Sequence, residues 1–405
     1  MTMLTNETPL LPLPRVKVKR WALKKPFSPL SPLDVKDFLT YRKYRIPLDR
    51  KTKKPTTGKD ALKTLAIAHP TDDILGLILQ ARGLSKAAGY MQEKHVGPDG
   101  KYHPTFTFAP DTGRLSAIAP NIQNQPNHGV DQEVVEAIRR TIIPSKPGHL
   151  LVEVDWRAIE AVLTGFFAGD RAFIKLSLVD SHSFLGWAIA RARGEDLPEL
   201  DAEDPDLTAK LKWFKKTHSE LRELAKRVNH ASSYGMGARL MAFTLSCSIA
   251  EAKALMAIKD AAAPLVTAWK KSTLWRAHKE GFLENPFAYR RYYTHVLAPV
   301  ETPEGMKLSR GEEANKALAF LPQSTAAGMM RLVLRPVWEA SKVHAFSLIA
   351  TIHDAVLLEV EENAVERVVK IVKGIMERPW VELDGLAIPT EAKAGRRWSE
   401  MEVVG

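Results

Sequence analysis

A single cysteine, Cys247, stands among 405 residues. One thiol can build neither an internal disulfide framework nor a cysteine-rich zinc site, and such usage suits a reducing cytosol. No apolar run approaches membrane-spanning length, and the N-terminus lacks the apolar core of a signal peptide. No internal repeat is present. Acid is scarcer than base, with 47 Asp and Glu against 58 Lys and Arg. The formal charge of +11 and the pI near 9.5 point to a polyanionic partner. No strongly apolar opposing face accompanies the basic residues, so a membrane surface is the weaker reading. With 45% apolar residues the chain can bury a sizeable core and form two or three subdomains.

What is present begins with an extended arm. Pro9, Pro12, Pro14, Pro26, Pro29 and Pro32 forbid regular structure there. Arg15, Lys17, Lys19, Arg20, Lys24 and Lys25 lie among them, with no acid between Pro9 and Pro32. A second basic cluster, Arg42–Lys54, precedes helical patterns over Lys59–Ala68 and Asp73–Tyr90. A helical pair flanked by basic loops suits sequence-independent phosphate contact. Further on, Thr112-Gly-Arg-Leu-Ser116 and Pro120-Asn-Ile-Gln-Asn-Gln-Pro126 form a loop rich in amides. Such amides either satisfy buried backbone groups or, with Arg114, read minor-groove base edges.

The organising stretch is His149–Glu160. Leu150, Leu151, Val152 and Val154 predict a buried strand that Asp155 closes, and a helix follows from Trp156. Asp155 is either a helix N-cap or a metal ligand, because a buried carboxylate needs a partner. A second strand of the same kind, Ser347–Val360 with Asp354 at its centre, favours the metal. Glu153 shares the face of Asp155, since strand side chains alternate. It either steadies a second ion or pairs with a basic neighbour. The spacing also predicts one long helix over Asp206–Tyr234. On it Arg222, Lys226, His230 and Tyr234 recur every four residues, forming one slowly winding stripe. Two cations followed by two rings match a nucleoside triphosphate, or else mark a basic surface stripe.

These residues resemble the polymerase domain of family A, bacterial polymerase I-like DNA polymerases. Asp155-Trp-Arg-Ala-Ile-Glu160 resembles the first palm motif, usually Asp-Tyr-Ser-Gln-Ile-Glu. Arg222-x3-Lys226-x3-His230-x3-Tyr234-Gly235 resembles the fingers motif, and Ile352-His-Asp-Ala355 the second palm motif, usually with Glu after Asp. Thr112-Gly-Arg-Leu-Ser, Pro120-Asn-Ile-Gln-Asn, Asp180-Ser-His182 and Gln323-Ser-Thr-Ala-Ala match in family order.

The resemblance implies an α+β right hand with an antiparallel-sheet palm, helical fingers and a helical thumb. The basic arm covers 1–27, the thumb 28–110, the palm 111–179 and 286–405, and the fingers 180–285. It implies that Asp155 and Asp354 hold two magnesium ions, with manganese as a substitute. His182, Arg222, Lys226, His230 and Tyr234 would bind the deoxynucleoside triphosphate, with Lys226 also a proton donor to pyrophosphate. Glu160 would exclude a ribose 2′-hydroxyl, and Arg114, Asn121, Gln123, Gln323 and His353 would follow primer–template DNA. A monomeric cytoplasmic, nucleoid-associated enzyme is implied, without a membrane and without the family's upstream proofreading domain.

Three residues depart from the pattern: His230 replaces a six-membered ring, Ala158 a glutamine, and Ala355 a carboxylate. A metal-dependent nuclease using Glu153, Asp155 and Asp354 explains the acids but leaves the Arg222–Tyr234 stripe without a purpose. A non-catalytic nucleic-acid-binding descendant explains the basic arm, but not the retained aspartates.

Overall fold

A computed structural model describes residues 26–49, 52–89, 96–124, 132–233, 237–245, 247–302 and 305–405. The chain divides into two compact units, Met1–Ser85 and Lys86–Gly405. Almost all of the basic arm lies outside the described residues.

The first unit is built on α1 (Pro32–Tyr41), α2 (Lys59–Ala68) and α3 (Asp73–Ala88). Ser31 caps α1 by accepting from the Asp34 N–H at 3.2 Å, and Pro32 follows where a missing N–H costs nothing. Val35, Leu39, Leu62, Leu65, Leu75 and Ile78 form the core. Each such buried aliphatic side chain contributes about 1.5–3 kcal/mol relative to exposure. Arg82 ties two loops to this core, donating to the carbonyls of Pro29 at 2.7 Å and Thr57 at 2.5 Å.

The second unit opens with β1 (Thr105–Thr107), β2 (Ser116–Ile118), α4 (Gln132–Arg140) and β3 (His149–Trp156). A helical block follows: α5 (Ile159–Ala168), α6 (Arg171–Ala192), α7 (Leu207–Thr217), α8 (Ser219–Ser233), α9 (Ala238–Leu245), α10 (Ile249–Ala262) and α11 (Pro264–Glu280). Two hairpins come next, β4 (Phe282–Glu284) with β5 (Arg290–Tyr292), and β6 (Leu297–Thr302) with β7 (Gly305–Arg310). The chain ends with α12 (Ala314–Ser341), β8 (Phe346–Ile352), β9 (Ala355–Glu361), α13 (Val365–Met376), β10 (Thr390–Gly395) and β11 (Glu402–Val404).

Strands from distant parts of the chain assemble one antiparallel sheet, ordered β11-β10-β3-β9-β8. Alternation along β3 gives the sheet two faces. Val152, Val154 and Trp156 point to a large core with Met329 and Val333 of α12 and Val368 and Val372 of α13. The apolar residues of α13 recur at helical spacing, as a helix lying on a sheet requires. Leu151 points the other way, packing with Ala350, Leu357 and Trp398.

Three sequence expectations are corrected here. The long helix over 206–234 is two helices, because His218 leaves helical geometry (φ −124°, ψ 45°) and stacks its ring on Phe214 at 4.5 Å. The second strand with a central aspartate is a hairpin. β8 and β9 pair Ile352 with Ala355, so His353 and Asp354 form a two-residue turn. Finally, α12 is long and apolar enough to cross a bilayer, yet 72% of its most apolar stretch is buried in the protein. It is a core helix, kept close to its surroundings by Gly328, whose absent side chain makes room for the Phe287 ring.

Candidate active site

Asp155 lies next to the last residue of β3, on the face opposite the large core. The helix after it is capped by Ala158, in the left-handed region at φ 50°, so Asp155 is not a helix N-cap. Two neighbours flank Asp155 in the sheet: Ala355 on β9 and Glu391 on β10. The position without a carboxylate thus lies on one side and a carboxylate on the other. Sequence reasoning missed Glu391, which approaches Asp155 only through strand pairing.

Asp354 reaches the same place from the β8–β9 turn, where His353 has φ 55°. Burial and the charges of Asp354 and Glu153 push the Asp155 carboxyl up to about 7. Burial likewise raises Asp354, partly opposed by Arg114. That guanidinium comes from the Thr112–Ser116 segment. Its Nη2 lies 2.5 Å from Glu160 Oε1 and 3.3 Å from Asp354 Oδ1. Gly113 permits the approach: its φ is +71°, and a Cβ there would sit 3.0 Å from Arg331 Nη1 and 3.3 Å from the Tyr289 ring.

Glu153 has a different partner. Its Oε2 accepts from Trp398 Nε1 at 2.8 Å, and the Arg139 guanidinium lies 4.8 Å from the centre of that indole. This partner is a neutral indole and not the basic neighbour the sequence suggested. Gln123 is also engaged in the fold. It accepts from the Ala117 N–H at 2.8 Å and donates to the Thr351 carbonyl at 3.0 Å, tying β2 to β8. Asn121, Gln323 and His353 are half-buried, half-buried and exposed, respectively.

On the helical side, α6 breaks at Asp180 (φ −169°, ψ 90°). The Asp180 carboxylate restarts the helix, accepting from the N–H groups of His182 and Ser183 at 3.1 Å each. It also receives Arg222 Nε at 2.9 Å. Lys226 lies 3.9 Å from Glu223, which also contacts Arg222 at 3.5 Å. His182 Nδ1 is 3.1 Å from Asn229 Nδ2; the amide donates, which places the neutral ring's proton on Nε2. The His230 side chain and all of Tyr234 lie outside the described residues.

A cavity of about 460 Å³ connects the two halves of the site. Asp155, Asp354, Glu160, His182 and Asn229 line it, together with Lys259, Asp260 and Lys270 from α10 and α11. Arg222 and Lys226 are not part of its lining. The two lysines carried no legible sequence signal, because they lie on separate helices among other lysines and only the fold brings both to one cavity. Among the described residues no cluster of three or more His, Cys, Asp or Glu forms a metal cage.

The family model for DNA polymerase family A matches residues 15–400. The chain belongs to DNA polymerase family A. It is 30% identical over 363 residues to the thermostable DNA polymerase I of Thermus filiformis, covering 86% of this chain and 39% of that protein. DNA polymerase I of Deinococcus radiodurans is 28% identical, over 88% of this chain and 35% of its own length. This chain therefore spans well under half the length of these curated relatives. The fold is similar to the polymerase domain of Pol1 from M. smegmatis, solved in complex with DNA primer-template and dNTP. That match has a TM-score of 0.69 at 23% identity and covers 92% of this chain and 61% of the other. The α+β architecture with its antiparallel sheet is thus the family A polymerase-domain fold, and Asp155 and Asp354 lie at one end of its strands, Asp155 on the central β3 and Asp354 in the β8–β9 turn.

Proposed function

We propose that this family A chain is a template-directed DNA polymerase that adds deoxynucleotides to a primer 3′-hydroxyl. One observation carries the reading: Asp155 and Asp354, nearly 200 residues apart, converge beside a cavity with Glu160 and Arg114. Two buried carboxylates, one of which raises the proton affinity of the other, are a pair suited to a cation. Magnesium accepts so sparse a protein set, completing its shell with substrate phosphates and water, so the donor chemistry fits. Asp155 and Asp354 would hold the ions. Magnesium bound there supplies positive charge for the attacking hydroxyl and the departing pyrophosphate.

The chain's own groups prepare the rest. Arg114 holds Glu160 at the mouth of the cavity, which positions that carboxylate to meet a ribose 2′-hydroxyl. His182, oriented by Asn229, points a donor at a phosphate. Arg222 and Lys226 serve the incoming triphosphate by exchanging Asp180 and Glu223 for phosphate oxygens, a charge-for-charge replacement. Lys226 is also the proton donor to the leaving pyrophosphate in this reading. Primer–template DNA is the partner, Asn121, Gln323 and His353 follow it, and the working unit is a monomer.

Primer extension on defined DNA and RNA templates, with magnesium and each nucleotide in turn, tests the proposal. Incorporation that follows the template supports it. Degradation of the primer irrespective of nucleotides would instead favour a nuclease that uses the same acids.

A further inference from the structure

Arg114 is delivered to Glu160 and Asp354 by a tight turn, in which the Gly113 N–H donates to the Pro110 carbonyl at 2.9 Å. Two arginines from distant elements hold that turn. Arg291 of β5 lies 2.7 Å from the Asp111 carboxylate through Nη2. Arg331 of α12 donates from Nη1 to the Gly113 carbonyl at 3.4 Å. Each guanidinium is backed by an aromatic ring: Arg291 lies 5.2 Å from the centre of Tyr293, and Arg331 5.5 Å from that of Tyr289. Both tyrosines pack on the fully buried Phe320 of α12, Tyr289 at 6.1 Å and Tyr293 at 6.3 Å between ring centres. The five side chains thus form one chain of contacts from arginine to arginine, and both of its charged ends meet the turn.

We propose that Arg291 and Arg331 are positioning residues, which clamp the Pro110–Gly113 turn and thereby hold the Arg114 guanidinium against Glu160 and Asp354. The effect on nucleotide addition rests on the polymerase reading; the clamp itself does not.

The local chemistry suits a clamp. The Arg291 side chain is 14% exposed against 65% for Asp111, so the cation is the fixed partner and the carboxylate reaches in to it. Arg291 and Tyr293 stand two positions apart at the end of β5 and share a face. Leu283, paired with Arg291 across the hairpin, is buried in the same core as Tyr293 and Phe320. A guanidinium can stack its plane on an aromatic ring while its edge donates, which an ammonium does less well. Gly113 completes the fit, since a Cβ there would meet Arg331 Nη1 at 3.0 Å. Precision matters at the next residue, because Arg114 spans two acids from separate elements, Glu160 on α5 and Asp354 in the β8–β9 turn. A backbone shift of about 1 Å would stretch the 3.3 Å contact to Asp354 beyond hydrogen-bond range. The clamp ties the turn to the buried core through Phe320 and so opposes that shift.

Amide hydrogen exchange on the whole chain, without metal or DNA, reads the clamp without requiring turnover. Asp111→Asn, Arg291→Met and Arg331→Met should each speed exchange over residues 111–116 by about fivefold or more. Asp111→Asn changes a mostly exposed side chain and leaves Arg291 near the Glu313 carboxylate, which keeps the test valid if an arginine variant does not fold. Single-turnover incorporation of a deoxynucleotide reads the consequence. Each variant should slow it about tenfold, and Arg291→Lys, which keeps the charge but not the planar stack, should recover only part of the loss. In an Arg114→Ala background the same substitutions should change the rate by less than about twofold, because the group they position is gone. Unchanged exchange over 111–116 in all three variants overturns the inference, as does equal slowing with and without Arg114. If exchange rises as described but the parent protein extends no primer, the polymerase reading fails and the clamp stands.

Discussion

Arg114 Nη2 stands 3.3 Å from Asp354 Oδ1, a contact across 240 positions of sequence, while the same nitrogen holds Glu160. A residue read from sequence as a minor-groove contact is thus also the counter-charge of a candidate metal ligand. Removing it takes away the largest charge that opposes burial and Glu160 at Asp354, so that carboxyl rises further. Arg114→Ala should therefore shift the acidic limb of the pH–rate profile for single-nucleotide incorporation to higher pH, and Arg114→Lys should shift it less. An acidic limb that stays in place would remove Arg114 from the electrostatics of the site.

Asp155→Ala and Asp354→Ala should each reduce nucleotide addition by about three orders of magnitude or more, since each removes a carboxylate assigned to the ions. Primer–template affinity should remain near that of the parent, because DNA is gripped elsewhere. Single-turnover incorporation and a binding titration on the same preparations separate the two quantities. Substantial extension by either variant would end the assignment.

Asp155 also makes stability depend on pH in metal-free solution. Its folded-state carboxyl lies near 7, well above the ordinary carboxylate value it regains on unfolding. The folded chain holds that proton more tightly, so the contribution is complete below the unfolded pKa. It is lost as pH rises through about 7. Asp155→Asn cannot ionise. Thermal melts with a chelator should show it more stable than the parent above pH 7 and equal to it near pH 3.5 (approximate values set by the two pKa limits). Equal melting midpoints across that range would contradict the buried-pair picture.

Glu153 is expected to matter for folding rather than for chemistry. Its hydrogen bond from Trp398 is charge-assisted, and Arg139 stacks over the same indole. Glu153→Gln should cost about 1.5–3 kcal/mol in denaturant unfolding. The magnesium dependence of incorporation should be unchanged. A changed magnesium dependence at normal stability would return Glu153 to the role of an auxiliary carboxylate.

Gly328 offers a test of the core. A Cβ built there would lie 2.4 Å from the Phe287 ring, inside van der Waals contact. Gly328→Ala should destabilise the larger unit by about 1–3 kcal/mol through overpacking, despite the better helix propensity of alanine. A stabilised variant would show that Phe287 swings aside freely.

Much of this was fixed locally and could be read without coordinates. Periodicity placed α2 at Lys59–Ala68 and the apolar strand before Asp155, because helix and strand repeats follow from side-chain direction alone. The spacing of motifs along the chain pointed to family A. Local pattern failed where a long-range contact or a turn intervened. His218 breaks the expected long helix by stacking on Phe214. Asp354 sits in a hairpin turn because β8 folds back on β9, an event that a run of apolar residues does not record. Partners were decided by tertiary structure alone. Strand order places Glu391, and not Glu153, directly across from Asp155, and helix packing takes Arg222 to Asp180 while bringing Lys259 and Lys270 to the cavity. A sequence fixes which charges a chain carries and how they repeat along each element. Which charge meets which depends on contacts between residues far apart in the chain, and those exist only once burial of the shared core has brought the elements together.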